Sequence, residues 1–194
     1  MRVRNRGADQ MSWILIRHGM TKGNLEKRYV GCRTDEPLCP EGILRLKQLS
    51  YPDVQYVYAS PMKRCLETAG IIYPGLPVRI IPDFRECDFG EFEYHNYTEL
   101  NGRDDYQAWI DSGGTLPFPG GESREAFSAR SVAAFRSLPP CAEKENRALI
   151  VHGGTIMAIM EAMASPKGSY YDFQVRNGSG YILENDGSYR TLGF

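Results

Sequence analysis

The chain has 194 residues, of which 42% are hydrophobic and 24% charged, and its formal net charge is −1. This length suits one domain with a sizeable core better than two. The balanced charge lacks the basic excess of nucleic-acid-binding proteins, and no apolar run approaches the roughly 20 residues that span a bilayer. We therefore expect no nucleic-acid partner and no membrane partner.

The first ten residues, MRVRNRGADQ, differ in composition from the rest of the chain. They are partly basic but contain no apolar segment, so they do not form a secretory signal. We interpret residues 1–10 as a disordered N-terminal extension, with Met11 as a second possible start. Residues 11–194 are expected to form a single domain.

The cysteine pattern indicates the cellular compartment in which the protein is expected to act. The five cysteines are an odd number and lack CxxC or CxxH spacing, which argues against both a disulfide framework and a zinc site. A reducing cytoplasm is therefore the expected location, and no metal site is expected.

The first predicted strand is short and buried. Trp13 to Ile16 is apolar and ends abruptly at Arg17 and His18. Apolar residues at helical spacing then predict a helix over Gly42 to Leu49.

A second strand is predicted at Val54 to Tyr58. Ser60-Pro61 directly after it has the pattern of a helix start, with serine as the N-cap and proline at the first helical position. This places Arg64 in the first turn of the helix that follows.

A third buried strand is predicted at Ala148 to Val151, followed by His152 and the apolar helix IMAIMEAMA. The order strand, polar turn, helix thus occurs three times, which predicts an α/β fold with a mostly parallel sheet covered by helices on both faces. In the tail, Asp186-Gly187 predicts a hairpin between two short strands at the sheet edge.

The strand rhythm lapses between Glu91 and Glu122. This stretch is rich in aromatic and turn residues, including Tyr97, Trp109 and Phe118. We expect a helical insertion over about residues 91–122, packed around a small aromatic core at one end of the sheet.

Charged and titratable groups follow all three strands at equivalent places: Arg17 and His18, then Arg64, then His152. Parallel strands bring such groups to one edge, where helix N-termini also favour anions such as phosphate. Two arginines offer forked donors to phosphate oxygens. His18 could act as a nucleophile, because nearby arginines oppose its protonation and keep the imidazole neutral.

Five motifs, in order, resemble the signatures of the histidine phosphatase superfamily, which has the phosphoglycerate-mutase-like fold. They are LIRHGMTKGNLEKRYVGCRTDEPLCPEG, VYASPMKRCLETAGIIYP, DFRECDFGEFE, PGGES and VHGGTIMAI. The resemblance runs from about Trp13 to the end of the chain. It implies a three-layer α/β/α sandwich with a mostly parallel central sheet.

The resemblance also implies roles for individual residues. His18 would be phosphorylated in a two-step reaction on a small phosphorylated substrate, without a metal ion or other cofactor. Arg17, Arg64 and His152 would hold the phosphoryl group. Glu86 would protonate the leaving oxygen and then activate water.

Asn24 matches an asparagine that lies near the phosphate in the family. From residue type alone, Asn24 is equally a turn residue.

Two positions depart from the family pattern. Phe92-Glu93-Tyr94 stands where many phosphatases of the family read an aromatic residue followed by Glu-Gly, and Cys39 stands where a serine or threonine helix cap is usual. The pocket is therefore expected to differ in shape from those of better-known relatives.

Two alternatives to the phosphohistidine chemistry remain open. CPEGILR, residues 39–45, fits the pattern of cysteine-dependent phosphatases. However, Pro40 lacks an N–H group and Glu41 would repel phosphate, which disfavours this chemistry. The chain could also be a catalytically idle phosphate-binding module that keeps the fold.

Within the family, the short chain and ECDFGEFE resemble phosphatases more than mutases. The segments DFGEFEYHNYTEL, YQAWID and PGGES resemble the α-ribazole phosphatases most. The alternatives are a broad-specificity phosphatase and a phosphoglycerate mutase. A monomer or a homodimer is expected.

Overall fold

One mixed six-stranded sheet organises the computed structural model, which describes residues 12–139 and 145–192. The strands lie in the order β3-β2-β4-β1-β5-β6; neighbours among β3, β2, β4 and β1 are parallel, and β5 and β6 run antiparallel. This confirms the predicted mostly parallel sheet. The strands are β1 (Ser12–Arg17), β2 (Tyr56–Ala59), β3 (Val78–Ile80), β4 (Asn146–Val151), β5 (Gly180–Glu184) and β6 (Tyr189–Leu192).

Helices cover the sheet and build the connections between its strands. The longest, α6 and α7, pack against each other. Within the described residues, three short 3₁₀ helices span Pro82–Phe84, Gly90–Phe92 and Tyr170–Phe173. The α-helices are α1 (Lys22–Leu25), α2 (Pro40–Gln48), α3 (Lys63–Ile72), α4 (Tyr97–Leu100), α5 (Asp104–Asp111), α6 (Arg124–Ser137) and α7 (Gly153–Met163).

The apolar run of β1 is explained by burial on both faces of the sheet. Trp13 and Leu15 pack into the cluster that contains residues of α6 and α7, whereas Ile14 and Ile16 pack into the cluster that contains residues of α3. Successive side chains of a strand point to opposite faces, so a strand covered on both sides must be apolar throughout. Helices on both faces make the three-layer α/β/α sandwich, as predicted.

The predicted helix start at Ser60-Pro61 is wrong. The helix α3 begins at Lys63, and its N-cap, Met62, makes no side-chain capping bond. The hydroxyl of Ser60 instead lies 2.8 Å from Nε2 of His152. The same hydroxyl accepts a longer hydrogen bond, 3.4 Å, from the backbone N–H of Met62, so the buried imidazole is its closer partner.

The strand β3 is not predicted by the sequence pattern. It has only three residues and forms one edge of the sheet, with Arg79 and Ile80 exposed. A short exposed strand of this kind shows in its sequence neither the apolar run nor the alternation by which strands are recognised.

The antiparallel edge of the sheet follows the predicted hairpin. The strands β5 and β6 are joined at Asp186-Gly187, where Gly187 has φ +86°. Asp186 accepts a hydrogen bond from the backbone N–H of Ser188 at 2.8 Å. A glycine at positive φ and an aspartate that caps its own turn are the chemistry that such hairpins require.

The predicted insertion, residues 91–122, contains α4 and α5 and contributes to a separate aromatic core. That cluster of buried residues contains Phe92, Leu100, Phe118 and Phe127, with Trp109 packed against it. It lies beside the carboxyl ends of the parallel strands, where it forms one wall of the cavity described below.

Tyr94 stands where the family pattern has glycine, and its backbone conformation gives the reason for that preference. It has φ +61°, a conformation that costs a bulky residue about 1 kcal/mol or more. Its hydroxyl donates a hydrogen bond to Glu36 at 3.1 Å, and the guanidinium of Arg28 lies 5.1 Å from its ring centroid. These contacts hold the tyrosine in a backbone conformation that glycine would adopt without strain.

The cysteines within the described residues are free thiols: Cys32, Cys39, Cys65 and Cys87. Cys141 and the predicted extension 1–10, together with Met11, lie outside the described residues. In the described part of the chain, no helix has the length and apolar character needed to cross a membrane.

Candidate active site

The carboxyl ends of neighbouring parallel strands bring three predicted site residues together. Arg17 ends β1 and pairs in register with Val151 at the end of β4, so His18 and His152 follow at adjacent positions. Their ring centroids lie 5.2 Å apart. Arg64 lies in the first turn of α3, which follows β2, the other neighbour of β4.

His18 is held in one orientation and is 3% exposed. Its Nδ1 lies 2.7 Å from the backbone carbonyl of Gly19. A carbonyl only accepts, so Nδ1 carries the proton and Nε2 keeps its lone pair. Burial, followed by the charges of Arg64 and Arg17, lowers the pKa of His18 well below 6.5. The imidazole is therefore neutral at physiological pH, with its Nε2 unprotonated.

The two arginines are anchored by backbone carbonyls. Arg64 is fully buried and donates to the carbonyls of Thr34 at 2.8 Å and Gly31 at 3.1 Å. Arg17 donates through Nη1 to Val175 at 2.8 Å. The Nε of each arginine is buried without a hydrogen-bond partner among the described residues. Both guanidinium groups are thus fixed while keeping donor capacity for an anion.

His152 is the N-cap residue of α7 but makes no side-chain capping bond, and like Arg64 it is not among the described residues that line the cavity. It is fully buried, and its Nε2 lies 2.8 Å from Oγ of Ser60. Burial, Arg64 and His18 lower its pKa well below 6.5. The neutral imidazole thus lies directly before the N–H groups at the start of α7, and the N-terminus of a helix favours an anion.

Glu86 is buried beside these groups, with 8% exposure. Its Oε1 accepts a hydrogen bond from the N–H of Cys87 at 3.0 Å, and its Oε2 lies 3.9 Å from Nδ1 of His152. Burial raises its pKa above 4.5, although that hydrogen bond and the nearby Arg64 and Arg17 oppose the shift. A carboxyl group with a raised pKa can hold a proton and donate it.

Asn24 lines the cavity but is also a local structural residue. Its Oδ1 accepts hydrogen bonds from the backbone N–H of Thr21 at 3.3 Å and from Nδ2 of Asn177 at 3.0 Å. Asn177 donates in turn to the carbonyl of His18 at 3.1 Å. Asn24 therefore supports the loop that carries His18 through its side-chain oxygen.

A cavity of about 390 Å³ opens at this edge of the sheet. Aromatic side chains form much of its walls, and Arg124 lines it beside Tyr170 and Tyr171. The guanidinium carbon of Arg124 lies 5.6 Å and 5.8 Å from these two ring centroids. The residues that line the cavity include Tyr29, Phe89, Trp109, Phe118, Phe127, Tyr170 and Tyr171.

The cysteine alternative loses support from the geometry. Cys39 is the N-cap of α2, and its sulfur accepts a hydrogen bond from the N–H of Gly42 at 3.3 Å. Burial raises the pKa of its thiol, which opposes formation of a nucleophilic thiolate. Cys39 therefore replaces the usual serine or threonine as a helix cap.

Several supporting residues cannot be identified from the sequence. Ser60 has the pattern of a helix cap, and Thr68, which accepts a hydrogen bond from the N–H of Gly19 at 2.9 Å, carries no pattern of its own. Asn177 is 159 residues from His18 in the chain. Only the folded chain brings such partners together.

No group of three or more histidine, cysteine or acidic side chains within the described ranges could hold a metal ion. The cations close enough to lower the pKa of His18 are Arg64 and Arg17, and the Nε of each is buried without a hydrogen-bond partner among the described residues.

Residues 13–193 match the family described as histidine phosphatase superfamily (branch 1). The chain is 26% identical over 187 residues to the adenosylcobalamin/alpha-ribazole phosphatase of Salmonella typhimurium, and 27% identical over 187 residues to that of Escherichia coli; each alignment covers 92% of both proteins. The family prediction from the five motifs is confirmed.

The fold is also similar to solved structures. A phosphoglycerate mutase from Thermus thermophilus superposes with a TM-score of 0.74 at 29% identity, over 95% of this chain and 99% of that one. The chain is thus similar both to proteins named as phosphatases and to a protein named as a mutase. Similarity at the level of the family therefore leaves both reactions open.

Proposed function

Because this chain belongs to the histidine phosphatase superfamily, whose members are phosphatases or mutases, we propose that it is a phosphomonoesterase that forms a phosphohistidine on His18. The observation that carries the proposal is the fixed tautomer of His18. Its Nδ1–H donates to Gly19, and the unprotonated Nε2 is left beside Arg17 and Arg64.

In the first step, Nε2 of His18 attacks phosphorus and the bond from phosphorus to the ester oxygen breaks. Arg17, Arg64 and His152 hold the phosphoryl oxygens, and each charge-assisted hydrogen bond contributes about 1.5–3 kcal/mol. Glu86 gives its proton to the leaving oxygen, which departs as an alcohol. Its raised pKa favours the protonated form that this step requires.

In the second step, the carboxylate of Glu86 takes a proton from water, and the resulting hydroxide attacks the phosphohistidine. Inorganic phosphate leaves, and both His18 and Glu86 return to their starting states. The same carboxyl group thus acts first as acid and then as base, which requires only that it stay within reach of the phosphoryl group.

We further propose that the reaction needs no metal ion. Arg17 and Arg64 supply two positive charges at the phosphoryl site, and His152 with the N-terminus of α7 supplies further donors. Full activity after treatment with EDTA is the expected result.

For the substrate, we propose α-ribazole 5′-phosphate, an intermediate of cobalamin synthesis. Two relatives at 26% and 27% identity are named as adenosylcobalamin/alpha-ribazole phosphatases. The aromatic walls of the cavity and its volume of about 390 Å³ suit a flat leaving group. The chain is expected to act in the cytoplasm, as a monomer or a homodimer.

A broad-specificity phosphatase and a phosphoglycerate mutase are the alternatives. The mutase is favoured by the structural similarity to a protein of that name. A mutase must return the phosphoryl group to its substrate, so it would release little inorganic phosphate from 3-phosphoglycerate while producing an isomer.

The proposal is tested with the EDTA-treated protein on p-nitrophenyl phosphate, α-ribazole 5′-phosphate, 3-phosphoglycerate and sugar phosphates. We expect α-ribazole 5′-phosphate to be hydrolysed with kcat/KM of at least about 10⁴ M⁻¹s⁻¹ and the others slowly. Broad, weak turnover would keep the chemistry and reject the substrate. No turnover that depends on His18 would favour an idle phosphate-binding module.

A further inference from the structure

Glu86 differs from the other candidate site residues because it lies in the middle of an irregular segment of the backbone. Residues 85–89 have no regular secondary structure and lie between the 3₁₀ helices Pro82–Phe84 and Gly90–Phe92. A segment without regular structure depends on contacts from outside itself for its position. The residues that supply those contacts therefore control where the carboxyl group lies.

Arg130, on α6, holds the segment on the N-terminal side of Glu86. Its Nη1 donates to the carbonyls of Asp83 at 2.6 Å and Arg85 at 3.1 Å. Its guanidinium also lies 5.2 Å from the ring centroid of Phe127, one turn earlier on the same helix.

Glu122 holds the segment on the C-terminal side. Its Oε2 accepts a hydrogen bond from the N–H of Asp88 at 3.3 Å, and its own N–H donates to the carbonyl of Asp88 at 2.9 Å. Glu122 and Arg130 are joined by two parallel bonds, from Nε to Oε1 at 3.0 Å and from Nη2 to Oε2 at 2.8 Å.

Arg130 and Glu122 hold the segment from both sides of Glu86, and this pair is called the bracket. The side chains are only 14% and 18% exposed, and a bidentate arginine–carboxylate pair has a fixed planar geometry. Each member bonds the backbone on a different side of Glu86. Neither is among the described residues that line the cavity, so the pair reaches the site through the segment it holds and through the charge of Arg130, which lowers the pKa of Glu86.

We propose that Arg130 and Glu122 are positioning residues that aim the carboxyl group of Glu86 at the leaving oxygen. The inference rests on the proposed role of Glu86 as the proton donor. A pair that served stability alone would change the reaction of every substrate equally when it is broken. A positioning pair changes mainly the reactions that need a proton from Glu86.

The experiment measures kcat/KM of Arg130→Gln on two phosphomonoesters, p-nitrophenyl phosphate and glycerol 3-phosphate. The p-nitrophenolate ion leaves without a proton, whereas the alkoxide of glycerol must be protonated. We expect about a 30- to 100-fold loss with glycerol 3-phosphate and less than about a threefold loss with p-nitrophenyl phosphate, since a small misplacement of a reacting group costs about 10²-fold.

Two matched variants sharpen the measurement. Arg136→Gln removes an exposed arginine from the same helix and should leave both rates unchanged. Glu122→Gln keeps the shape of the side chain but removes its charge, and it should lower the glycerol 3-phosphate rate in the same direction as Arg130→Gln.

A double variant tests whether Arg130 acts through Glu86. In the Glu86→Gln background, Arg130→Gln should cause no further loss with glycerol 3-phosphate, because the group that it positions is already gone. Equal losses on both substrates, or full additivity of the two substitutions, would overturn the proposal.

A second readout does not depend on turnover. Amide hydrogen exchange across residues 83–90 should be faster in Arg130→Gln than in Arg136→Gln, because the backbone contacts of the bracket are lost. If the wild-type protein shows no turnover that depends on His18, the proposed function fails and exchange alone decides whether the pair holds this segment. Unchanged exchange would then reject the positioning role.

Discussion

The two ends of the candidate active site are built in different ways. At the phosphate end, Arg17, His18 and His152 lie at the carboxyl ends of β1 and β4, whose parallel register places them side by side. At the leaving-group end, Glu86 and the aromatic walls lie on irregular segments and short helices. Sheet hydrogen bonding fixes the first end, and contacts of side chains with backbone fix the second.

This difference separates the expected effects of substitutions. In the proposed reaction, the phosphate end binds the group that all phosphomonoesters share, so substitutions there should affect every substrate. In the same reaction, the leaving-group end faces the part that varies, so the effect of substitutions there should depend on the acidity and shape of the leaving group. Substitutions at the phosphate end should therefore lower the rates of all substrates, and substitutions at the leaving-group end should lower some rates far more than others.

His18→Ala should abolish turnover of every substrate, with a loss of about 10⁴-fold or more in kcat, because it removes the proposed nucleophile. Acid-quenched phosphohistidine should disappear as well. His95→Ala, which changes an exposed histidine, is the control. Normal rates in His18→Ala would end the phosphohistidine proposal.

Glu86→Gln should slow hydrolysis of glycerol 3-phosphate by about 10²–10⁴-fold in kcat/KM, the usual contribution of a general acid. The kcat/KM for p-nitrophenyl phosphate should fall much less. Binding of inorganic phosphate, measured by calorimetry, should stay nearly unchanged. A loss that is the same for both substrates would place Glu86 at the phosphate end instead.

Ser60→Ala removes the closer hydrogen-bond partner of Nε2 of the buried His152 and leaves Sγ of Cys65, 3.7 Å away, as the remaining contact. Because this weaker contact holds the ring less firmly, we expect kcat/KM to fall by roughly 5- to 150-fold for all substrates alike, which corresponds to about 1–3 kcal/mol of lost transition-state stabilisation. Ser137→Ala, on the surface of α6, provides the control. A substrate-dependent loss would contradict the assignment of Ser60 to the phosphate end.

The pH profile should separate the two ends. The pKa of His18 lies well below 6.5, so His18 stays neutral and reactive as pH falls through 6.5, and no loss of kcat/KM from its protonation is expected there. The pKa of Glu86 is raised above 4.5, so the protonated acid is present at low pH and is lost as pH rises through that raised pKa.

The kcat/KM for glycerol 3-phosphate should therefore fall about tenfold per pH unit above the pKa of Glu86, and Glu86→Gln should remove this limb. The groups whose charges oppose the rise of that pKa are Arg17, Arg64 and Arg130. The same alkaline limb for p-nitrophenyl phosphate would assign it to another group.

Arg124→Gln should have the smallest effect, a rise of about three- to tenfold in KM for aromatic phosphomonoesters. Arg124 has no ion-pair partner among residues 12–139 and 145–192, and its guanidinium lies over two cavity tyrosines, where it offers a flat face to a ring. Arg79→Gln is the matched control, because Arg79 lies over Tyr56 and Tyr58, outside the cavity. An equal rise in KM for glycerol 3-phosphate would argue against ring recognition.

The sequence predicts the phosphate end better than the leaving-group end for a physical reason. A buried strand is recognisable by its apolar run, and parallel strands place the residues that follow them at one edge. Arg17, His18, Arg64 and His152 can therefore be grouped from the order of strands along the chain. Glu86 has no such local pattern, and only resemblance to a family points to it.

Local patterns failed where a distant partner competed for a residue. Ser60-Pro61 has the form of a helix start, yet the hydroxyl of Ser60 bonds His152, which lies 92 residues away. Tyr94 likewise keeps a positive φ because Glu36 and Arg28 hold it there. Energies of such contacts are comparable with local preferences, so the folded chain decides between them.

The amino-acid sequence is enough to predict the α/β architecture, the apolar strands, the hairpin at Asp186-Gly187 and the family. These follow from periodicity, turn chemistry and ordered motifs, which are properties of short stretches of chain. The tautomer of His18, the burial that raises the pKa of Glu86, and the bracket formed by Arg130 and Glu122 arise only in the folded chain. Each of these depends on distances between residues far apart in the chain, which no local pattern records.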